Sequence, residues 1–171
     1  MSAILLTPQD LDQLIKNEPT VIIDTRNPEA FATGHVPGAI NMHDIFTFLA
    51  TSTADGIQEL KSKFAEEFGA AGLSGAETAV IYEDAMNTGF GQSCRGYFLL
   101  SYLGYPKVSI LHGGFQAWHA AGMPVTTDVT EPVAAEFPLK DTGHDLMIDK
   151  DDVLKALDDD SIVLLDVRDV D

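Results

Sequence analysis

Positive charge and cysteine are the scarce ingredients of this sequence. Its 171 residues hold ten Lys and Arg against 27 Asp and Glu, a formal net charge of −17. Nucleic acid and anionic membrane surfaces are held by clustered basic side chains, so neither is expected as a partner. The single cysteine, Cys94, rules out an internal disulfide and suits a reducing, cytoplasmic compartment. No apolar run approaches the roughly 18 residues of a membrane-spanning helix. The opening Met1-Ser2-Ala3-Ile4-Leu5-Leu6-Thr7 lacks the basic flank and the length of a signal peptide. No Gly-x-Gly-x-x-Gly follows the first apolar strand, which excludes the dinucleotide-binding fingerprint. His112 and His119 have no cysteine or suitably spaced carboxylate beside them, so neither a metal nor another cofactor is expected.

What the chain does have is an ordinary apolar content of 45%, distributed as alternating strand and helix signals. Thr7-Pro8-Gln9-Asp10, followed by Leu11, Leu14 and Ile15, predicts a helix with a hydroxyl N-cap and proline at its first position. Val21–Asp24 is a short apolar run that suits a buried parallel strand. Pro28–Phe31 predicts a short helix ended by Gly34, and the segment to Ile40 a loop and a brief strand. Helical spacing recurs in Phe46–Leu49 and in Ile57–Phe68, the second closed by Gly69 and Gly72. Ala79–Tyr82 and Val108–Leu111 are further strands. Arg95–Leu103, stopped by Gly104, and Phe115–Ala121, stopped by Gly122, are further helices. This alternation predicts an α/β fold, a central parallel sheet flanked by helices on both faces.

The end of the sequence repeats its beginning. Asp24-Thr25-Arg26 after Val21-Ile22-Ile23 recurs as Asp166-Val167-Arg168 after Ile162-Val163-Leu164-Leu165. The same ungapped offset of 142 residues places Asp10 on Asp152, Leu11 on Val153 and Ile15 on Leu157. Self-similarity at one fixed offset marks a duplicated unit. We therefore expect one domain over residues 1–128, a linker over 129–146 that contains Pro132 and Pro138, and the truncated start of a second α/β unit over 147–171. Residues 145–171 carry ten acidic against three basic side chains, which reads as a solvated face. A lone helix and strand there would leave an unpaired edge, so self-association through 147–171 is expected.

In a parallel sheet, ligands gather where loops leave the carboxyl ends of strands. Three places qualify: Asp24–Arg26, the loop from Glu83 to Cys94, and His112-Gly113-Gly114. The central loop leads into a helix N-terminus, where backbone N–H groups converge and the helix dipole favours negative charge. Cys94, beside Arg95 at the predicted helix start, is the candidate nucleophile, because a dipole and a cation both stabilise a thiolate. The competing reading makes Cys94 a small packing residue. Arg26 and Arg95 are placed to pair with Asp24 or Asp84, and Arg95 also to bind an anion. His35 is expected to fix the loop before Pro37 through a side-chain hydrogen bond.

Asp24-Thr25-Arg26, then Gly34-His35-Val36-Pro37-Gly38-Ala39, then Leu111-His112-Gly113-Gly114-Phe115-Gln116-Ala117-Trp118 resemble, in order and spacing, the signature stretches of the rhodanese family. The likeness covers roughly residues 7–125, and the restart near 148 resembles the tandem, two-domain branch. It implies a sulfurtransferase that moves sulfane sulfur from a small anionic donor, thiosulfate or 3-mercaptopyruvate, through a cysteine persulfide. The acceptor is thiophilic, such as cyanide or a thiol. The likeness also implies a scaffold ion pair for Asp24 and Arg26, structural roles for His35, Gly113 and Gly114, and cleft positions for Glu83, Asp84 and Arg95.

The sequence departs from the family pattern at one decisive place. The family's nucleophilic cysteine directly follows the central strand; here Glu83 stands there, followed by Asp84. An acidic residue in that place resembles the N-terminal domains of tandem enzymes, whose C-terminal domain holds the nucleophile. On that likeness the chain is the N-terminal half, with little activity alone, and its missing C-terminal domain is a partner. The alternative is a non-catalytic rhodanese module that regulates or binds other proteins. His112 takes a place where relatives often have aspartate. A phosphatase of related fold would need a cysteine six residues before Arg95, where Gly89 stands.

Overall fold

The computed structural model describes residues 3–43, 48–85, 91–140 and 146–166. The chain opens with β1 (Leu5–Leu6), α1 (Pro8–Asn17), β2 (Thr20–Asp24), α2 (Pro28–Thr33) and β3 (Ala39–Asn41). It continues with α3 (Ala54–Ala70), β4 (Thr78–Tyr82), α4 (Gln92–Tyr102), β5 (Val108–Leu111), α5 (Gly114–Ala120) and α6 (Lys150–Ala156). α1 begins with a reciprocal cap: the Thr7 hydroxyl accepts the Asp10 N–H, and the Asp10 carboxylate accepts the Thr7 N–H. Asn27 caps α2 in the same sense by accepting the Ala30 N–H.

The five strands form one all-parallel sheet in the order β1-β5-β4-β2-β3. Successive residues of the central strands serve opposite faces. Ile23, Ala79 and Ile81 pack with Phe64 and Phe68 of α3 and Leu100 of α4. Ile22, Val80 and Tyr82 pack with Leu11 of α1 and Trp118 of α5. Burial on both sides is why these strands read as unbroken apolar runs rather than as an alternating pattern.

Several boundaries differ from the sequence expectation, each for a local reason. β1 was not expected; two residues are too few to show a period, and only pairing of Leu5 with Ile110 and Leu6 with Leu111 makes them a strand. α4 starts at Gln92, three residues before the expected Arg95, because Gly91 at φ 70° turns the chain and Ser93 joins the first turn. α3 runs through Gly69 to Ala70, so Gly69 does not close it. A Cβ on Gly69 would lie 2.6 Å from the Ala135 carbonyl oxygen, so glycine there admits a crossing chain. Residues 48–50 are irregular, and Phe46 of the expected Phe46–Leu49 helix lies outside the described residues, as do Gly89, Val167 and Arg168.

The crossing chain is the first part of the expected linker. Residues 129–140 have no regular structure, yet they form a packed strap. The Ala135 N–H donates to the Gly69 carbonyl at 2.8 Å and the Lys140 N–H to the Leu103 carbonyl at 3.0 Å. Phe137 is buried between Phe68 and Tyr105, with ring centroids 5.7 and 5.5 Å away.

Beyond it, α6 carries its own reciprocal cap between Asp149 and Asp152. These positions are Thr7 and Asp10 displaced by the repeat offset of 142, so the sequence repeat extends to the capping chemistry. Of the strand expected over Ile162–Val167, residues 162–166 are described and join no sheet among the described residues. β2 itself is made by its neighbours β3 and β4, and 162–166 has no such neighbours here. Ile162, Val163, Leu164 and Leu165 are consequently exposed, Leu165 by 81%. Among the described residues, no helix is long and apolar enough to cross a membrane.

Candidate functional site

At the carboxyl edge of the sheet the parallel register sets Tyr82, Asp24 and Asn41 side by side on β4, β2 and β3. This row organises the first candidate group. Asp24 is fully buried, and Arg26 grips it through Nε and Nη2 at 2.7–3.1 Å. The same Nη2 donates to the Gly34 carbonyl at 2.8 Å, and the guanidinium lies 3.9 Å from the centre of the Phe115 ring. The Tyr82 hydroxyl donates to Asp24 and accepts the Val36 N–H. Burial first, and the Asp24 charge second, raise the Tyr82 pKa far above the phenol range, so this donor stays protonated. Asn41 Nδ2 donates to the Asp24 and Arg26 carbonyls at 3.1 and 2.8 Å. The Arg26 guanidinium is buried and donates to the Asp24 carboxylate and the Gly34 carbonyl, so the group acts as scaffold.

His35 is fully buried and stacks on Phe31 at 3.7 Å. Its Nδ1 and Nε2 face the carbonyl oxygens of Phe31 and Asp128 at 2.9 and 3.1 Å. Its backbone forms an antiparallel bridge with Thr126. The loop before Pro37 is thereby tied to the segment that leads into the strap, a long-range contact that no local motif announces.

The second group surrounds the end of β4. Glu83 is 1% exposed, and its Oε2 accepts the Ser93 N–H at 3.2 Å in the first turn of α4. The Glu83 and Asp84 carbonyls accept the Phe115 and Gln116 N–H groups of α5 at 2.9 and 3.0 Å. Gln116 Nε2 donates to the Asp84 carboxylate at 3.2–3.3 Å. Gly113 and Gly114, both at positive φ, make this approach possible. A Cβ on Gly114 would sit 2.3 Å from the Glu83 carbonyl oxygen. Gly114→Ala is therefore expected to cost about 2–4 kcal/mol, from left-handed strain and backbone clash together. Urea denaturation checks this; a loss under about 0.5 kcal/mol, the range of neutral surface changes, would contradict it.

Cys94 and Arg95 lie at the surface of the α4 N-terminus. They follow buried Ser93 in the first turn of α4, and both are exposed. An exposed Cys94 does not fit the packing reading of the sequence. Among the described residues, surface grooves occur elsewhere. One of 150 Å³ is lined by Ile57, Leu60, Phe98 and Met147; one of 480 Å³ runs beside the strap past Thr20, Glu77 and Val133. Neither includes Glu83, Cys94 or Arg26. Among the described residues, no three His, Cys, Asp or Glu side chains gather as metal ligands. Tyr82, Asn41, Ser93, Phe115 and Gln116 are site residues that sequence reasoning missed, since only strand register and helix docking bring them in.

Comparison with known proteins gives the same frame. A profile of the rhodanese-like domain matches residues 7–121, from the cap of α1 to the end of α5. A candidate thiosulfate sulfurtransferase of Synechococcus elongatus is 34% identical over 74% of this chain and 39% of its own length. The thiosulfate sulfurtransferase of Pseudomonas aeruginosa is 29% identical over 83% of this chain and 51% of its own. The chain thus spans about two fifths to one half of these relatives. The crystal structure of the 3-mercaptopyruvate sulfotransferase SseA of Escherichia coli superposes with a TM-score of 0.73 at 20% identity, over 91% of this chain and 63% of that one. The parallel sheet, the buried Asp24–Arg26 scaffold and the profile match converge: the chain belongs to the rhodanese family.

Proposed function

We propose that this chain is the N-terminal, non-catalytic domain of a tandem sulfurtransferase together with the opening of its second domain. The complete protein would take sulfane sulfur from thiosulfate or 3-mercaptopyruvate, carry it as a cysteine persulfide, and pass it to cyanide or a thiol. Its place would be the cytoplasm, and its nucleophile would lie in the rest of the second domain. The observation that carries this reading is Glu83. A buried carboxylate, already capping α4, ends the central strand at the position where the family pattern puts the sulfur carrier. A carboxylate cannot accept sulfane sulfur. The two relatives named above support the activity, and the repeated cap at Asp149 and Asp152 supports the second domain. The exposed apolar residues 162–165 would be covered by that domain.

Cyanolysis with thiosulfate tests the assignment directly. The chain is expected to work at background rate, unchanged in Cys94→Ala, and mass spectrometry after donor treatment should show no persulfide on Cys94. Strong turnover that Cys94→Ala abolishes would replace this reading with catalysis at Cys94, whose exposed thiol sits at a helix N-terminus.

A further inference from the structure

Glu83 is a buried carboxylate that the Asp24–Arg26 scaffold does not use. It faces the N-terminus of α4, an 11-residue helix whose N-cap is Gly91 and which has no side-chain cap at that position. The first-turn N–H groups of a helix are unpaired within it and form its positive end, where anions settle. Glu83 supplies that anion from inside the chain, through Oε2 and the Ser93 N–H. The fit leaves polar groups over. Glu83 Oε1 and Ser93 Oγ are both buried, and neither has a hydrogen-bond partner among the described residues. A buried hydroxyl without an acceptor is costly. Together, the helix end and the spare Ser93 donor describe a place with more hydrogen-bonding capacity than one planar carboxylate uses.

We propose that the N-terminus of α4 is a small-oxyanion site kept occupied by the protein's own Glu83, so that an external dianion is excluded from this domain. The inference rests on the preceding functional reading only in choosing thiosulfate as the dianion. Its consequence for a tandem enzyme is direction: a site of family geometry that is closed from within does not compete for the donor. Asp84, the next residue, adds a second carboxylate beside Glu83, held by Gln116 of α5. An opened site would therefore be modest in affinity, and Asp84→Asn would strengthen it.

The test is a thiosulfate titration at constant ionic strength, with sulfate and chloride as parallel probes. Calorimetry and the amide resonances of Gln92–Arg95 are the readouts. The unaltered chain is expected to show no saturable response in those amides. Glu83→Ala should gain saturable binding of thiosulfate and sulfate, at least tenfold tighter than any response of the unaltered chain. Adding Ser93→Ala should weaken it at least threefold. Saturable perturbation of these amides in the unaltered chain overturns the proposal, as does a folded Glu83→Ala that binds neither dianion. Should Glu83→Ala fail to fold, Glu83→Gln carries the test, since it removes the charge but keeps the shape. A threefold or greater gain supports the proposal and no gain overturns it. Cyanolysis by the unaltered chain would defeat the functional reading alone, whereas absent anion binding in these variants would defeat only this inference.

Discussion

Arg26→Ala is expected to lower the free energy of unfolding by about 3–5 kcal/mol. The loss is that of an abandoned charge rather than of an ion pair. Asp24 is fully buried, and without the guanidinium its carboxylate keeps, among the described residues, the Tyr82 hydroxyl and the backbone N–H of residue 26. The Gly34 carbonyl loses its donor and the Phe115 ring loses its stacked neighbour at the same stroke. Arg26→Lys should recover less than half of the loss, because an ammonium reproduces neither the two-point grip nor the stacking. Asp24→Asn combined with Arg26→Ala separates the causes: removing the charge as well should make the double variant more stable than Arg26→Ala. Urea denaturation reads all three as shifts of midpoint at unchanged slope. Equal losses in the single and double variants would show that the buried charge is not the source.

Phe137→Ala is the second large effect, about 3–5 kcal/mol and on the order of 10 °C in melting temperature. Phe137 is 7% exposed and stacks on Phe68 and Tyr105, so truncation leaves a cavity bounded by two rings. The hydrogen bonds of Ala135 to Gly69 and Lys140 to Leu103 flank that side chain. Amide exchange at Ala135 and Lys140 should accelerate together in the variant. If the segment were a loose connection, the change would fall within about 0.5 kcal/mol and neither amide would respond. The residues leading into the strap, Thr126 and Asp128, also hold His35. One segment thereby secures both the loop before Pro37 and the far face of α3.

Much of the fold over residues 7–121 was legible locally. Thr7 with Asp10 announces α1, and unbroken apolar runs announce β2, β4 and β5, because caps and burial on both faces leave marks in adjacent residues. The Asp24-Thr25-Arg26 stretch also carries its ion pair within three residues, so the partner could be read directly. Its reinforcement could not. Tyr82 is 58 residues away and reaches Asp24 only through the register of β4 on β2. Ser93 was hidden differently: its position before the expected helix start concealed that its N–H meets Glu83, and only the turn at Gly91 reveals it. Phe137 stands between Glu136 and Pro138 in a stretch with no period, where one buried side chain leaves no pattern.

By itself, the sequence determined the alternation of strands and helices, the excess of acid, and the acidic residue after the central strand. It also determined a repeat that includes its own helix cap. These are properties of neighbouring residues or of residues at one fixed offset. The tertiary structure alone decided which of those signals became structure. Thr20–Asp24 is a strand because β3 and β4 flank it, while its copy Ile162–Asp166 lies outside any sheet among the described residues. A strand is completed by hydrogen bonds to other segments, whereas a helix closes its own, so α6 forms from local sequence and the repeated strand does not.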